Sequence, residues 1–130
     1  MKFLVLFLFV FVAPLSTWAF ENSITPEKGV ELVKTKKAIV LDVREADELT
    51  SGMAEPARWV PTSSFRSNGP EWKKFLGEMA SQKDTPVVVY CAVGGRASTI
   101  VRSLRKQGYT AYNMGGFRDW KAAGLPVKNP

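Results

Sequence analysis

Pro86-Val87-Val88-Val89-Tyr90-Cys91-Ala92-Val93-Gly94-Gly95-Arg96-Ala97-Ser98 is the stretch that decides the fold. Its first half is an unbroken apolar run rich in β-branched residues, the pattern of a strand buried on both faces. Its second half is a glycine-containing loop. Beyond the loop, Ala97, Ile100, Val101 and Leu104 recur at the spacing of one helix face, up to a stop near Gly108. In covered parallel sheets, ligands bind beyond the carboxyl ends of the strands. Cys91, the chain's sole cysteine, stands at such an end.

The flanking sequence repeats the pattern. Thr25-Pro26-Glu27 reads as a helix start, with a cap residue, proline at the first helical position and an early acid. Val30 and Val33 give that helix an apolar side as far as about Lys36. Ala38-Ile39-Val40-Leu41-Asp42-Val43 is a second buried strand. A short helix is expected over Glu45–Leu49 and a short strand over Arg58–Val60. Ser67-Asn68-Gly69-Pro70 is a turn leading into a helix whose Trp72, Phe75, Leu76 and Met79 form a core stripe. Thr110–Asn113 reads as a last strand and Phe117–Ala123 as a last helix, stopped by Gly124 and Pro126. Alternating strands and helices predict an α/β fold: one domain over residues 24–128, with a mostly parallel central sheet flanked by helices on both faces.

Residues 1–19 follow different rules. Lys2 is their sole charge, Phe3–Val12 is wholly apolar, and Thr17-Trp18-Ala19 is a small-residue exit. This is the layout of a secretory signal peptide. Its apolar run, ending at Leu15, is shorter than the roughly 20 residues a spanning helix needs. Cleavage after Ala19 would leave 111 of the 130 residues, and loss of Lys2 would take the formal charge from +6 to +5. An exported, periplasmic protein is expected, without membrane contact once the leader is gone. The cations are scattered among Lys34/Lys36/Lys37, Lys73/Lys74 and Arg102/Arg105/Lys106, without interleaved aromatics, so no nucleic-acid partner is expected. The net charge favours small anions.

The chain contains one cysteine and no histidine. An internal disulfide is therefore excluded, as are Ser-His-Asp and Cys-His catalysis and the usual histidine-containing zinc sites. Any activation of Cys91 has to come from its loop. Three features there favour the thiolate. A helix beginning near Gly95 directs its positive end at the loop. Successive N–H groups of a glycine-containing turn form an anion-binding nest. Arg96 adds a permanent positive charge.

Cys91-Ala92-Val93-Gly94-Gly95-Arg96 resembles the active-site loop of the rhodanese-like sulfurtransferases, with four residues between cysteine and arginine. Leu41-Asp42-Val43-Arg44, followed by Glu48, resembles that family's N-terminal signature. Asn113-Met114-Gly115-Gly116-Phe117-Arg118-Asp119-Trp120 through Val127 resembles its C-terminal one. The chain departs from the family pattern at Met53, Pro56 and Trp59, where His, Gly and Asn are common. These changes bear on the pocket rim and on substrate preference.

The resemblance implies a single-domain sulfurtransferase with Cys91 as catalytic nucleophile. Ala92, Val93, Gly94, Gly95 and Arg96 would bind the substrate, and Arg44 is a further candidate contact for an anionic donor. An ion pair of Arg44 with Glu45 or Glu48 is the competing role, and Asp42 is read as a loop anchor. A small anionic sulfur donor such as thiosulfate, a thiol or cyanide acceptor, no metal or organic cofactor, and a monomer are implied. Related phosphatases place five residues in the loop and usually a histidine before the cysteine, where this chain has Tyr90. Oxyanion reduction or phosphatase-like action is the alternative chemistry, and a persulfide-carrying binding module the non-catalytic one.

Overall fold

The computed structural model describes residues 22–130; the leader expected over residues 1–19 lies outside them. Four parallel strands form the central sheet: β1 (Ile39–Asp42), β3 (Ala57–Trp59), β4 (Val87–Cys91) and β5 (Ala111–Gly116), in the order β3-β1-β4-β5. Ile39, Val87 and Ala111 pair across the sheet, so three strands start level. β2 (Met53–Ala54) and β6 (Val127–Lys128) form a separate antiparallel ribbon.

Strand alternation divides the core into two layers. Leu41, Val87, Val89 and Cys91 face one side, where they meet Trp72, Phe75 and Met79 of α3 (Pro70–Met79) and Ala97, Ile100 and Leu104 of α4 (Gly95–Lys106). Val40, Val88, Tyr90 and Met114 face the other. There they pack with Val30 and Val33 of α1 (Pro26–Lys36) and with Phe117 and Trp120 of α5 (Phe117–Ala122). The sheet is thus helix-covered on both faces, as the apolar runs require.

Local chemistry sets the boundaries. Thr25 caps α1 by accepting from Lys28 N–H at 3.1 Å, and Pro26 opens the helix. Asn68, in the left-handed conformation, ends a short helix α2 (Thr62–Ser67) that the sequence pattern does not reveal. Tight tertiary bonds hold α2: Thr62 N–H and Oγ1–H both donate to the Val43 carbonyl. The expected helix after Glu45 is a 3-10 helix over Ala46–Ser51 with a reciprocal cap between Glu45 and Glu48. β5 runs three residues beyond the expected Asn113. Its pairing with β4 slips from Val89↔Asn113 to Cys91↔Gly116, so β5 holds one extra residue, a bulge containing Gly115 at φ +86°.

Candidate active site

Cys91 ends β4, and its loop turns directly into α4, so the sulfur lies at the amino end of a 12-residue helix. The residue is buried, at 1% exposure. Gly94 N–H donates to Cys91 Sγ across 3.0 Å, with Gly94 at φ +111°. Only glycine adopts that conformation without strain, and it is what aims the amide at the sulfur. Ala92 is half-buried, Gly95 is exposed, and Val93 stands 62% exposed at the loop tip. Cys91, Ala92, Val93, Gly94, Gly95 and Arg96 thus form one tight ring of chain, in which the Gly94 amide is the group that contacts the sulfur. Cys91 and Gly94 are buried, and Val93 and Gly95 are exposed. A Cβ on Gly95 would meet nothing within 4 Å.

Arg96 does not point freely into that ring. Its two terminal nitrogens grip Glu48, Nη1 to Oε2 and Nη2 to Oε1, each at 2.7 Å. This planar pair of parallel hydrogen bonds is the strongest geometry open to an arginine and a carboxylate. The hydrogen bond from Arg96 draws the Glu48 carboxyl down to about 2, against the opposing effect of partial burial. The bond to Glu48, opposed by burial and reinforced by the nearby Cys91 sulfur, holds Arg96 above the ordinary arginine value. Glu48 also accepts from Glu45 N–H at 2.7 Å. The 3-10 helix thus fixes the carboxylate that fixes the loop arginine.

Two further contacts come from β5. Asn113 Nδ2–H donates to the Gly94 carbonyl at 3.0 Å, and Asn113 Oδ1 accepts from Gly115 N–H at 2.8 Å. A Cβ on Gly116 would overlap the Ala92 carbonyl oxygen. The β5 bulge therefore presses against the cysteine loop and sets its path. Glu48 and Asn113 are anchoring residues to which the sequence reading gave no loop role. Both lie in the signature segments, which is the signal that could have singled them out.

Arg44, read as a candidate donor contact, is not brought to the ring. It is 3% exposed, and every N–H of its guanidinium is engaged inside the protein. Nε and Nη2 bind Asp42, Nη2 also reaches the Gly52 carbonyl at 2.7 Å, and Nη1 donates to the Glu48 carbonyl and Ser51 Oγ. Its ion-pair partner is Asp42, at 2.6 Å, in place of the expected Glu45 or Glu48. Burial works against the charge of Arg44, yet the bonds and attraction of Asp42 prevail and raise its pKa.

Tyr90 O–H donates to Asp42 Oδ2 at 2.6 Å and accepts from Ala54 N–H at 3.0 Å. Burial first, and the Asp42 charge second, push its phenol far upward. Asp42 is the loop anchor the sequence suggested. The carbonyl of Arg44 accepts from Trp59 Nε1–H at 2.8 Å. A groove of about 310 Å³ beside Trp59 is lined also by Glu45, Pro61, Ser63 and Glu71, and no residue from Cys91 to Arg96 lines it. Among the described residues, no group of three or more His, Cys, Asp or Glu is placed to hold a metal ion.

A strand-end cysteine at a helix start, with the Gly94 amide on its sulfur and its loop braced by the half-buried Arg96–Glu48 pair, defines a class of cysteine-centred α/β transfer enzymes. Residues 25–123 match the rhodanese-like domain family. The chain is 33% identical to the thiosulfate sulfurtransferase GlpE of Actinobacillus succinogenes, over 82% of this chain and 90% of that one. It is 30% identical to the GlpE of Pseudomonas putida, over 76% of this chain and 84% of the relative. The rhodanese-related protein of Thermoplasma volcanium superposes with a TM-score of 0.67 at 30% identity, covering 84% of this chain and 99% of that one. The chain belongs to the rhodanese-like family and is a rhodanese-type enzyme.

Proposed function

We propose that this enzyme moves sulfane sulfur from thiosulfate, or a donor of the same kind, to cyanide or a thiol through a persulfide on Cys91. The observation that carries the reading is the ring itself: four residues between Cys91 and Arg96, with Gly94 N–H 3.0 Å from the sulfur. The Cys91 thiolate attacks the outer sulfur of thiosulfate. A new S–S bond forms to Cys91, the donor's own S–S bond breaks, and sulfite leaves with the electron pair. The terminal sulfur of the persulfide is anionic, and the loop amides and the amino end of α4 stabilise negative charge at that place. Cyanide then attacks the outer sulfur, thiocyanate leaves, and the thiolate returns. Two half-reactions through a covalent intermediate give ping-pong kinetics.

The leader-like residues 1–19 support an exported, periplasmic setting, which fractionation of expressing cells would test. Incubation with thiosulfate followed by intact-mass measurement tests the chemistry. Wild type gains one sulfur atom and Cys91→Ser gains none. A folded wild type without an adduct from any sulfane donor, or turnover of a generic aryl phosphate, would overturn the reading.

A further inference from the structure

The end of the sheet opposite Cys91 carries a one-sided charge. Three connections feed the level starts of β1, β4 and β5, and they come together there: Ile39 N–H donates to the Pro86 carbonyl and Val87 N–H to the Thr110 carbonyl. These connections and the helix ends beside them hold Lys34, Lys36, Lys37, Lys83, Arg105 and Lys106. Lys34, Lys36, Lys37, Lys83 and Lys106 are exposed and Arg105 is half-buried. Among the described residues, none of the six forms an ion pair.

The acids nearby do not offset them. Glu31 is paired with Lys28 and Glu78 with Arg58, which leaves Asp84 as the carboxylate within these connections. α1 and α4 lie on opposite faces of the sheet yet both end here, so the cations span the full width of the domain. Residues 22–24 run parallel to β5 beside Asn113, so the described chain enters from this same end.

We propose that this basic end seats the protein on an anionic lipid surface. Cations spread over a blunt, loop-built face match a plane of headgroup charge, each contributing a modest, salt-screened attraction. A nucleic acid fits less well: at this end Tyr109 is buried and the half-exposed Tyr112 is covered by Arg105, so among the described residues there no aromatic face is free for base stacking. The seating directs the Cys91 ring away from the lipid, because the five residues of β4 separate the two ends by roughly 16 Å at about 3.3 Å per residue. It departs from the expectation of no membrane contact beyond the leader, and it does not depend on which sulfur donor is used.

The test is co-sedimentation of the full chain with phosphatidylcholine vesicles and with vesicles that also contain phosphatidylglycerol. Partition by the apolar leader is common to both, so the ratio between them reports the charge effect. The wild-type ratio should favour the anionic vesicles by about tenfold or more at low salt and shrink as salt rises. Lys36→Gln/Lys37→Gln/Lys106→Gln should abolish most of it and leave persulfide formation unchanged. Arg118→Gln/Lys121→Gln, which removes exposed cations from α5, should keep it. No preference in wild type, equal loss in both variants, or full displacement from the vesicles by single-stranded DNA would overturn the proposal.

Discussion

Glu48 and Arg96, 48 positions apart in sequence, are joined by two parallel hydrogen bonds of 2.7 Å. The loop arginine is thereby held from outside its own loop, and its charge is largely neutralised by its partner. What the ring offers to an anionic adduct is therefore chiefly the backbone around Gly94, with Arg96 as the clasp that keeps this backbone in place.

Glu48→Gln should loosen the clasp without unfolding the domain. The kcat for thiosulfate should fall by about tenfold, equivalent to about 1.4 kcal/mol of transition-state stabilisation. KM should change little or drop, because the charge of Arg96 is no longer offset by a carboxylate and is freer to meet the donor. Steady-state kinetics separate the two effects.

The same pair sets an acid limit. Glu48 titrates near 2 in the fold against an ordinary value of 4.5. Its folded-state pKa is depressed, so its contribution to stability is fully present above about pH 4.5 and is lost as pH falls toward about 2. The stability difference between wild type and Glu48→Gln should be constant at neutral pH and shrink through that window. Chemical denaturation at a series of pH values reads it directly.

Arg44→Ala would leave the Asp42 carboxylate at 0% exposure without its counter-charge. A loss of about 3–5 kcal/mol is expected, the usual cost of breaking a buried pair on one side. Tyr90→Phe strips one bond from Asp42 and orphans the Ala54 amide, for about 1–3 kcal/mol. Urea midpoints should rank the two in that order.

Gly95 in the ring and Gly116 against it should answer differently to one added methyl. Gly116→Ala collides with the Ala92 carbonyl, so the loop must shift; about 1–3 kcal/mol and most of the persulfide-forming activity should be lost. Gly95→Ala meets open space at the start of α4 and should fold at least as stably as wild type. Thermal melts and adduct formation on the two variants give the comparison.

The elements readable in sequence were those that carry their own pattern. Val87–Tyr90 is apolar on both faces, and Ala97, Ile100 and Leu104 mark one side of α4; neither needs its neighbours to be recognised. Thr62–Ser67 is different. That helix exists because Val43 accepts twice from Thr62, a bond between residues 19 apart. β2 and β6 pair two residues with two others more than 70 positions away. At the site, Cys91 and its loop were visible because strand, glycines and helix start are contiguous. The fixing of Arg96 by Glu48 and of Gly94 by Asn113 was not, since nothing local distinguishes a carboxylate that reaches across the sheet from one facing water. Arg44 departs from both of its expected roles for the same reason. A charged residue just past a strand reads as exposed unless the Asp42 and Gly52 acceptors are seen around it.

The slip in pairing between Val89 and Cys91 divides β5 into two parts with separate duties. Ala111 and Tyr112 continue the regular ladder and bear on whether the domain stands. Asn113, Gly115 and Gly116 turn toward the cysteine loop and bear on how fast it works. One six-residue segment is thus both girder and template. Lesions a few ångströms apart along it should sort into those that cost stability alone and those that also slow the chemistry, with the boundary at Asn113.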